Sequence, residues 1–336
     1  MDQTRILLDH GSGGKLSNDL IAELMLPVFD NPVLAGMEDG ATLDIQGCRI
    51  AFSTDSYTVE PIFFPGGNIG DLAVNGTVND VAMCGAIPLY LSAGMIIEAG
   101  FPKADLEKIL KSMGMAAKAA GVQIVTGDTK VVAQGAADKI FINTSGIGLI
   151  PEGVRISAAN ARPGDKIILS GTIADHGMAV LSRREGLEFE SPIESDSAAL
   201  NLLVGRMLDT YPDIHVLRDP TRGGVGTALN EIALHAETGI RIYEDQIPVK
   251  DSVAGICELL GFDPLYVANE GKLLAFVNGD HAETLLNLIQ TDPLGKDACI
   301  IGEVVPDHSG KVIMETAIGG ERIIDMLTGE QLPRIC

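Results

Sequence analysis

The sequence predicts an α+β fold built as two α/β domains. Three observations carry that prediction. Short runs rich in Val and Ile recur along the chain, helical patterns lie between several of them, and 336 residues exceed what one hydrophobic core usually serves.

In chain order, the glycine-rich stretch His10 to Ser17 opens a helix predicted from Leu16 to Leu26. The run "RIAFSTDS" reads as a strand, and a helix follows from Ile69 to Cys84. A third helix, Lys103 to Ala120, precedes the strand runs "VQIVTGD" and "KIFINTSGIGLI". A polar stretch around Pro163-Gly164 then separates strand runs and marks the boundary. Beyond it come the strand "DKIILSGT", a helix from Ser195 to Tyr211, another from Gly224 to Thr238, and the strands "IRIY", "LLAFVNG" and "KVIMETAIGG". The predicted domains are residues 1–155 and 156–327, with a tail over 328–336.

Composition narrows the partners. Twenty-four basic against 46 acidic side chains give a net charge of −22, which repels a nucleic-acid backbone or an anionic membrane face. With no Trp, five Tyr and nine Phe, the chain also lacks aromatic platforms for stacking single-stranded bases. No apolar run approaches a membrane span, and the N-terminus lacks the pattern of a signal peptide. The five dispersed cysteines contain no CxxC pair, which points to a reducing, cytoplasmic compartment and away from a disulfide framework or zinc knuckle. Cys48, Cys84, Cys257 and Cys299 sit in or beside apolar runs and are expected to be buried fillers.

The candidate chemistry is acidic. Asp39, Asp55, Asp80, Asp128, Asp219 and Glu270 each follow an apolar run, among small residues. Magnesium bound to phosphates takes oxygen ligands and few carboxylates per ion, so as a set this recurrent setting suits it; each Asp alone is better read as a turn or a cap. "HGSGGKLS" is not a Walker loop, because Lys15 is followed by Leu16; it reads as a lid over a ligand or as a plain glycine turn. The six histidines show no ligand-like spacing and read as surface or packing residues. The last eight or so residues, ending in "QLPRIC", are expected to form an extended, mobile tail reaching about 25 Å, with Cys336 as a tethered thiol.

Together "GSGGK", "FSTDSYTVEPIFFPGGNIGDLAVNGTVNDVAMCGAIPLYLS", "GDTKVV", "DPTRGG", "NEGKLL" and the final "PRIC" resemble the HypE family of hydrogenase maturation factors. These are carbamoyl dehydratases of a wider group that includes aminoimidazole ribonucleotide synthetase and selenophosphate synthetase. The resemblance runs from the first glycine turn to Cys336. It implies two domains of the aminoimidazole ribonucleotide synthetase-like type, the N-terminal ones forming a dimeric β-barrel, with ATP and Mg²⁺ bound near the inter-domain cleft. It further implies a homodimer, a carbamoyltransferase partner, HypF, that loads Cys336, and delivery of the cyano group to an iron-carrying HypC–HypD complex. By the same resemblance Asp39, Asp55, Asp80 and Asp219 hold metal. Gly127, Asp128, Thr129, Asn75, Gly13 and Gly14 lie along the nucleotide, and Lys130 or Glu270 is the general base.

Rival classes are separable. A selenophosphate-type synthetase should carry a reactive Cys or Sec in its first glycine loop, where this chain has Ser12, and a purine-pathway ligase needs no terminal thiol. A scaffold for maturation partners would hydrolyse ATP independently of Cys336.

Overall fold

The computed structural model describes residues 5–11, 13–29, 31–187, 193–329 and 332–336. Its first half contains α1 (Lys15–Leu20), a π-helical turn (Ile21–Met25), α2 (Leu26–Phe29), β1 (Ala41–Ile45), β2 (Cys48–Tyr57), β3 (Phe63–Phe64), β4 (Gly67–Asn68), α3 (Ile69–Met83), β5 (Ile87–Glu98), α4 (Lys103–Ala120), β6 (Gln123–Val132) and β7 (Ile140–Leu149). Five of these strands form a sheet of order β1-β2-β7-β5-β6, antiparallel except for the β5–β6 pair. It is an open sheet, with β1 and β6 at its edges.

Burial alternates along β7 because α3 covers one face of the sheet. Gly146 permits that contact, since a Cβ there would sit 2.9 Å from Thr77 and 3.0 Å from Val81 on α3. The other face exposes Phe52, Tyr90, Ile96 and Ile147. α3 begins with a capping box: the Asn68 side chain accepts from Gly70 N–H, and Asp71 accepts from the Asn68 backbone. α4 starts after Pro102 and stops at Gly121, whose φ of +73° is the left-handed geometry that glycine adopts without strain.

The second half holds β8 (Asp165–Leu169), α5 (Asp175–Arg184), α6 (Asn201–Thr210), β9 (Val216–Arg218), α7 (Gly224–His235), β10 (Gly239–Tyr243), α8 (Asp251–Leu260), β11 (Leu274–Asn278), α9 (Gly279–Gln290), β12 (Cys299–Val305), β13 (Val312–Glu315) and β14 (Glu321–Ile324). Its seven-stranded sheet runs β14-β13-β10-β12-β8-β11-β9. β11 lies inside it, with Leu274 to Val277 fully buried.

The two halves share a core. Val81 to Cys84 at the end of α3 pack in one cluster with Leu203, Val204 and Met207 of α6 and with Leu285 and Ile289 of α9. Polar pins reinforce it: the Asn79 amide donates to Ala198 O (3.0 Å) and Glu270 O (3.4 Å), and its oxygen accepts from Leu200 N–H (2.8 Å).

Those pins correct the helix expected from Ser195 to Tyr211. Residues 195–200 bond across to α3 and begin no helix; α6 starts at Asn201. The helix expected from Leu16 to Leu26 is divided by the π-turn, and the one expected to end at Thr238 stops at His235. Cys48 is exposed and Cys299 half-buried, so only Cys84 and Cys257 of the four presumed fillers are buried.

Candidate functional site

Five carboxylates converge where the halves meet. Asp39 lies just before β1, Asp55 on β2, Asp80 on α3, Asp219 just after β9, and Glu270 just before β11. Asp219 and Glu270 are buried and Asp80 is half-buried, and each feels the charge of its neighbours. Burial, and then Asp219, Asp55 and Asp39, push Asp80 well above the ordinary carboxylate range. Burial also lifts Asp39 to about 6, against the pull of Arg218, and Asp219 to about 8, with Asp39 adding to it. Glu270 rises well above its ordinary value for the same first reason, with Asp219 and Asp55 next.

So many like charges in one buried place demand a cation. Arg218 supplies one on the groove side, bonded to Asp39 and within 3.8 Å of Glu231 and 3.9 Å of Glu38. It does not satisfy them all. Asp219 Oδ2 and Glu270 Oε1 are buried with no hydrogen-bond partner among the described residues. Orphaned carboxylate oxygens are what a hard divalent cation binds. Among the described residues no three His, Cys, Asp or Glu form a ready cage; magnesium, which completes its shell with water and phosphate oxygens, needs none.

Arg222 is the second cation. Its Nη1 lies 3.3 Å from the Sγ of Cys336 and its Nη2 lies 3.9 Å from Asp55. The thiol is 5% exposed and pushed up to about 12, chiefly by burial, while Arg222 pulls the other way. The expected free tail is therefore seated in this structure. Thr58 N–H donates to Cys336 O (2.9 Å), Glu60 N–H to Arg334 O (3.1 Å), and His176 Nε2–H to Ile335 O (2.8 Å). The Ile335 side chain joins a core cluster with Val59, Val180 and Ala268. Gln331 lies outside the described residues.

Two hollows meet at Arg222. A cavity of about 180 Å³ beside Cys336 is lined by Gly11, Thr58, Gly223, Tyr266 and Ala268 as well as Arg222. A groove of about 470 Å³ runs from His10 and Gly13 past Asp39, Arg218 and Asp219 to the same Arg222. One wall of the site is the glycine loop. A Cβ on Gly13, at φ +76°, would fall 2.8 Å from the Arg222 Cβ, and Lys15 N–H donates to Leu327 O at 2.8 Å.

Residues 37–150 and 162–315 match the N-terminal and C-terminal domains of AIR synthase related protein. The carbamoyl dehydratase HypE of Azotobacter vinelandii is 53% identical over 327 residues, which cover 97% of this chain and 96% of that one. The chain belongs to the HypE family of carbamoyl dehydratases. A crystal structure of a HypE–HypF complex matches with a TM-score of 0.88 at 53% identity, covering 92% of this chain and 99% of that one. A structure of the hydrogenase maturation protein HypE in complex with ATP matches at 0.84, also at 53% identity, covering 99% and 100%.

In this HypE-family chain Asp39, Asp55, Asp80, Asp219, Glu270 and Cys336 come together, Asp39 on Arg218 and Asp55, Glu270 and Cys336 about Arg222. The β6 residues do not join them. Asp128 pairs in register with Gly94 on β5, Gly94 with Asn143 on β7, and Asn143 with Ser56 on β2. Three strand spacings, about 14 Å, therefore separate Asp128 from the strand carrying Asp55. Lys130 bonds Asp128 at 2.7 Å on this exposed edge and does not meet Glu270. Thr129 and Gly127 share that strand, and Gly127 lies against the Ala93 carbonyl, where a side chain does not fit. Asn75 is turned to Ser197 Oγ (3.1 Å), and Gly14 packs on Leu327. Ser12 lies outside the described residues.

Sequence reasoning missed Arg222, Arg218 and His176. The signal for Arg222 was present, as the one cation in the quoted "DPTRGG"; nothing local marks His176, which is fully buried between the tail and Ser195 Oγ (2.8 Å).

Proposed function

We propose that this chain dehydrates an S-carbamoyl group on its own Cys336 to a thiocyanate, using ATP, and so supplies the cyanide ligand of a [NiFe]-hydrogenase iron centre. The observation that carries the reading is the seating of the Cys336 thiol against Arg222, beside Glu270, Asp55 and Asp219. A thiol delivered there on its own chain supports a role as substrate carrier. Burial keeps it protonated, which does not suit a nucleophile for a diffusible substrate.

An amide oxygen is a poor leaving group and a phosphorylated one departs as phosphate. The carbamoyl oxygen forms a bond to the γ-phosphorus as the bond to ADP breaks; the C–O bond then breaks, phosphate leaves, and nitrogen gives up its protons as the C≡N bond forms. Bound Mg²⁺, with Asp39, Asp55, Asp80 and Asp219 as its holders, would neutralise and align the triphosphate. Arg222 lies where the thiol cavity meets the groove, and donates toward oxygens that gain charge during transfer. Glu270, with a raised proton affinity and an oxygen without a donor, is the carboxylate whose charge acts most on Cys336, and serves as the base. Because Lys130 pairs with Asp128 within one chain, a base role for it requires that the sheets of two copies join.

The same reading includes a homodimer through the exposed sheet face, closing a β-barrel between two copies, with HypF loading the thiol and HypC–HypD accepting the cyano group. Free cysteines throughout fit a cytoplasmic setting.

Intact-mass analysis of the carbamoylated protein with Mg²⁺-ATP tests the reaction: one water is lost, localised to the peptide ending at Cys336. Carbamoylated protein that hydrolyses ATP and keeps its mass refutes the dehydratase reading and favours the scaffold. Cys336→Ala removes the modification and leaves ATP binding intact.

A further inference from the structure

The seat of the tail is built from groups that the proposed reaction leaves idle. Successive carbonyls of the last three residues face different walls. Those of Arg334 and Cys336 accept from the amides of Glu60 and Thr58, two residues apart, in the manner of strand addition; that of Ile335 accepts from His176 on α5. Arg184 ties the walls together, donating from Nε to Glu60 O (2.8 Å) and from Nη2 to Arg334 O (2.9 Å).

The side chains are read as well. The Arg334 guanidinium donates to Thr58 O (2.8 Å) and to Asp138, and lies 5.9 Å from the centre of the Phe141 ring. Ile335 fills the core beneath, at 4% exposure. Apart from Arg222 at the thiol, every recognising group belongs to residues 58–184 or the core under them. None of them depends on the segment that joins the tail to the fold.

We propose that this groove is a peptide-recognition site that binds an Arg-Ile-Cys segment whether or not it is joined to the fold, with Asp138 and Phe141 selecting the arginine. The inference goes beyond the dehydration reading and does not depend on it. It makes the thiol-bearing segment an exchangeable ligand, recognised by backbone hydrogen bonds and one charge-assisted pair.

The test uses the full chain with its own tail weakened by Arg334→Ala, a substitution at a part-exposed position that leaves the groove intact. A dye-labelled hexapeptide Gln-Leu-Pro-Arg-Ile-Ser is titrated without ATP or metal and followed by fluorescence anisotropy. Saturable binding is expected, weakened about tenfold when alanine replaces the peptide's arginine. Adding Asp138→Asn to the protein should erase most of that difference. No saturable binding up to millimolar peptide overturns the proposal, as does equal binding of the arginine and alanine peptides. Since no carbamoyl group or ATP is present, either result leaves the water-loss experiment to judge the reaction separately.

Discussion

Arg222 connects the thiol to the acids, and its removal separates two roles. A fixed donor aimed at developing charge is worth a hundredfold or more in rate, so Arg222→Ala should lower single-turnover dehydration by about two orders of magnitude while thermal stability holds. An unchanged rate would reduce Arg222 to a charge neighbour. His176 gives a pH signature. Burial lowers its proton affinity below the ordinary 6.5, so it is neutral in the fold, while the unfolded chain takes up a proton as pH falls through that value. The unfolded state then binds more protons, and the stability that His176 contributes is complete above pH 6.5 and declines below it. The stability gap between the native chain and His176→Gln, measured by urea unfolding, should narrow on mild acidification. A gap independent of pH would contradict the buried neutral ring.

Among elements, legibility followed local punctuation. Pro102 and Gly121 bracket α4, and its predicted bounds match the observed ones. α5 went unread because its N-cap is Ala174 at φ +71°, with no side-chain cap, and because its register depends on packing against the N-terminal half and the tail. The carboxylates on β2 and α3 were legible as a set, since each ends or follows a periodic run. That Asp128 and Lys130 stand apart from them was not, because strand order is a long-range property that adjacent residues do not encode. The start of α6 depends on Asn79, whose amide makes three bonds in a buried setting. Asn79→Ala should destabilise the fold by about 2 to 3 kcal/mol and increase hydrogen exchange at Leu200 first. Exchange that rises everywhere equally would assign the loss to general unfolding.

At the scale of the whole molecule, the shared core decides what moves. Val81 to Cys84, α6 and α9 form one packed body, so opening the two halves like a book would expose that cluster; withdrawing the tail breaks its own hydrogen bonds and the packing of Ile335 but leaves that cluster closed. The exposed apolar face of the five-stranded sheet bears on assembly. Phe52 on β2 and Tyr90 on β5, both opposite Ile147, are 44% and 47% exposed on it. Replacing both by aspartate should shift a dimer to monomer in sedimentation velocity with little change in the unfolding midpoint. A native chain that sediments as a monomer would remove the dimeric barrel from the proposal.

The burial and high proton affinity of the seated Cys336 have a consequence for the lifetime of the protein. Oxidants and alkylating agents attack thiolate, and the seated sulfur is almost never in that form. An unloaded molecule therefore ages slowly, and spoilage accrues only during excursions. In the proposed reaction each excursion is at once the opening for loading and the exposure to damage, so the supply of carbamoyl groups would set how long the one irreplaceable atom of each molecule survives.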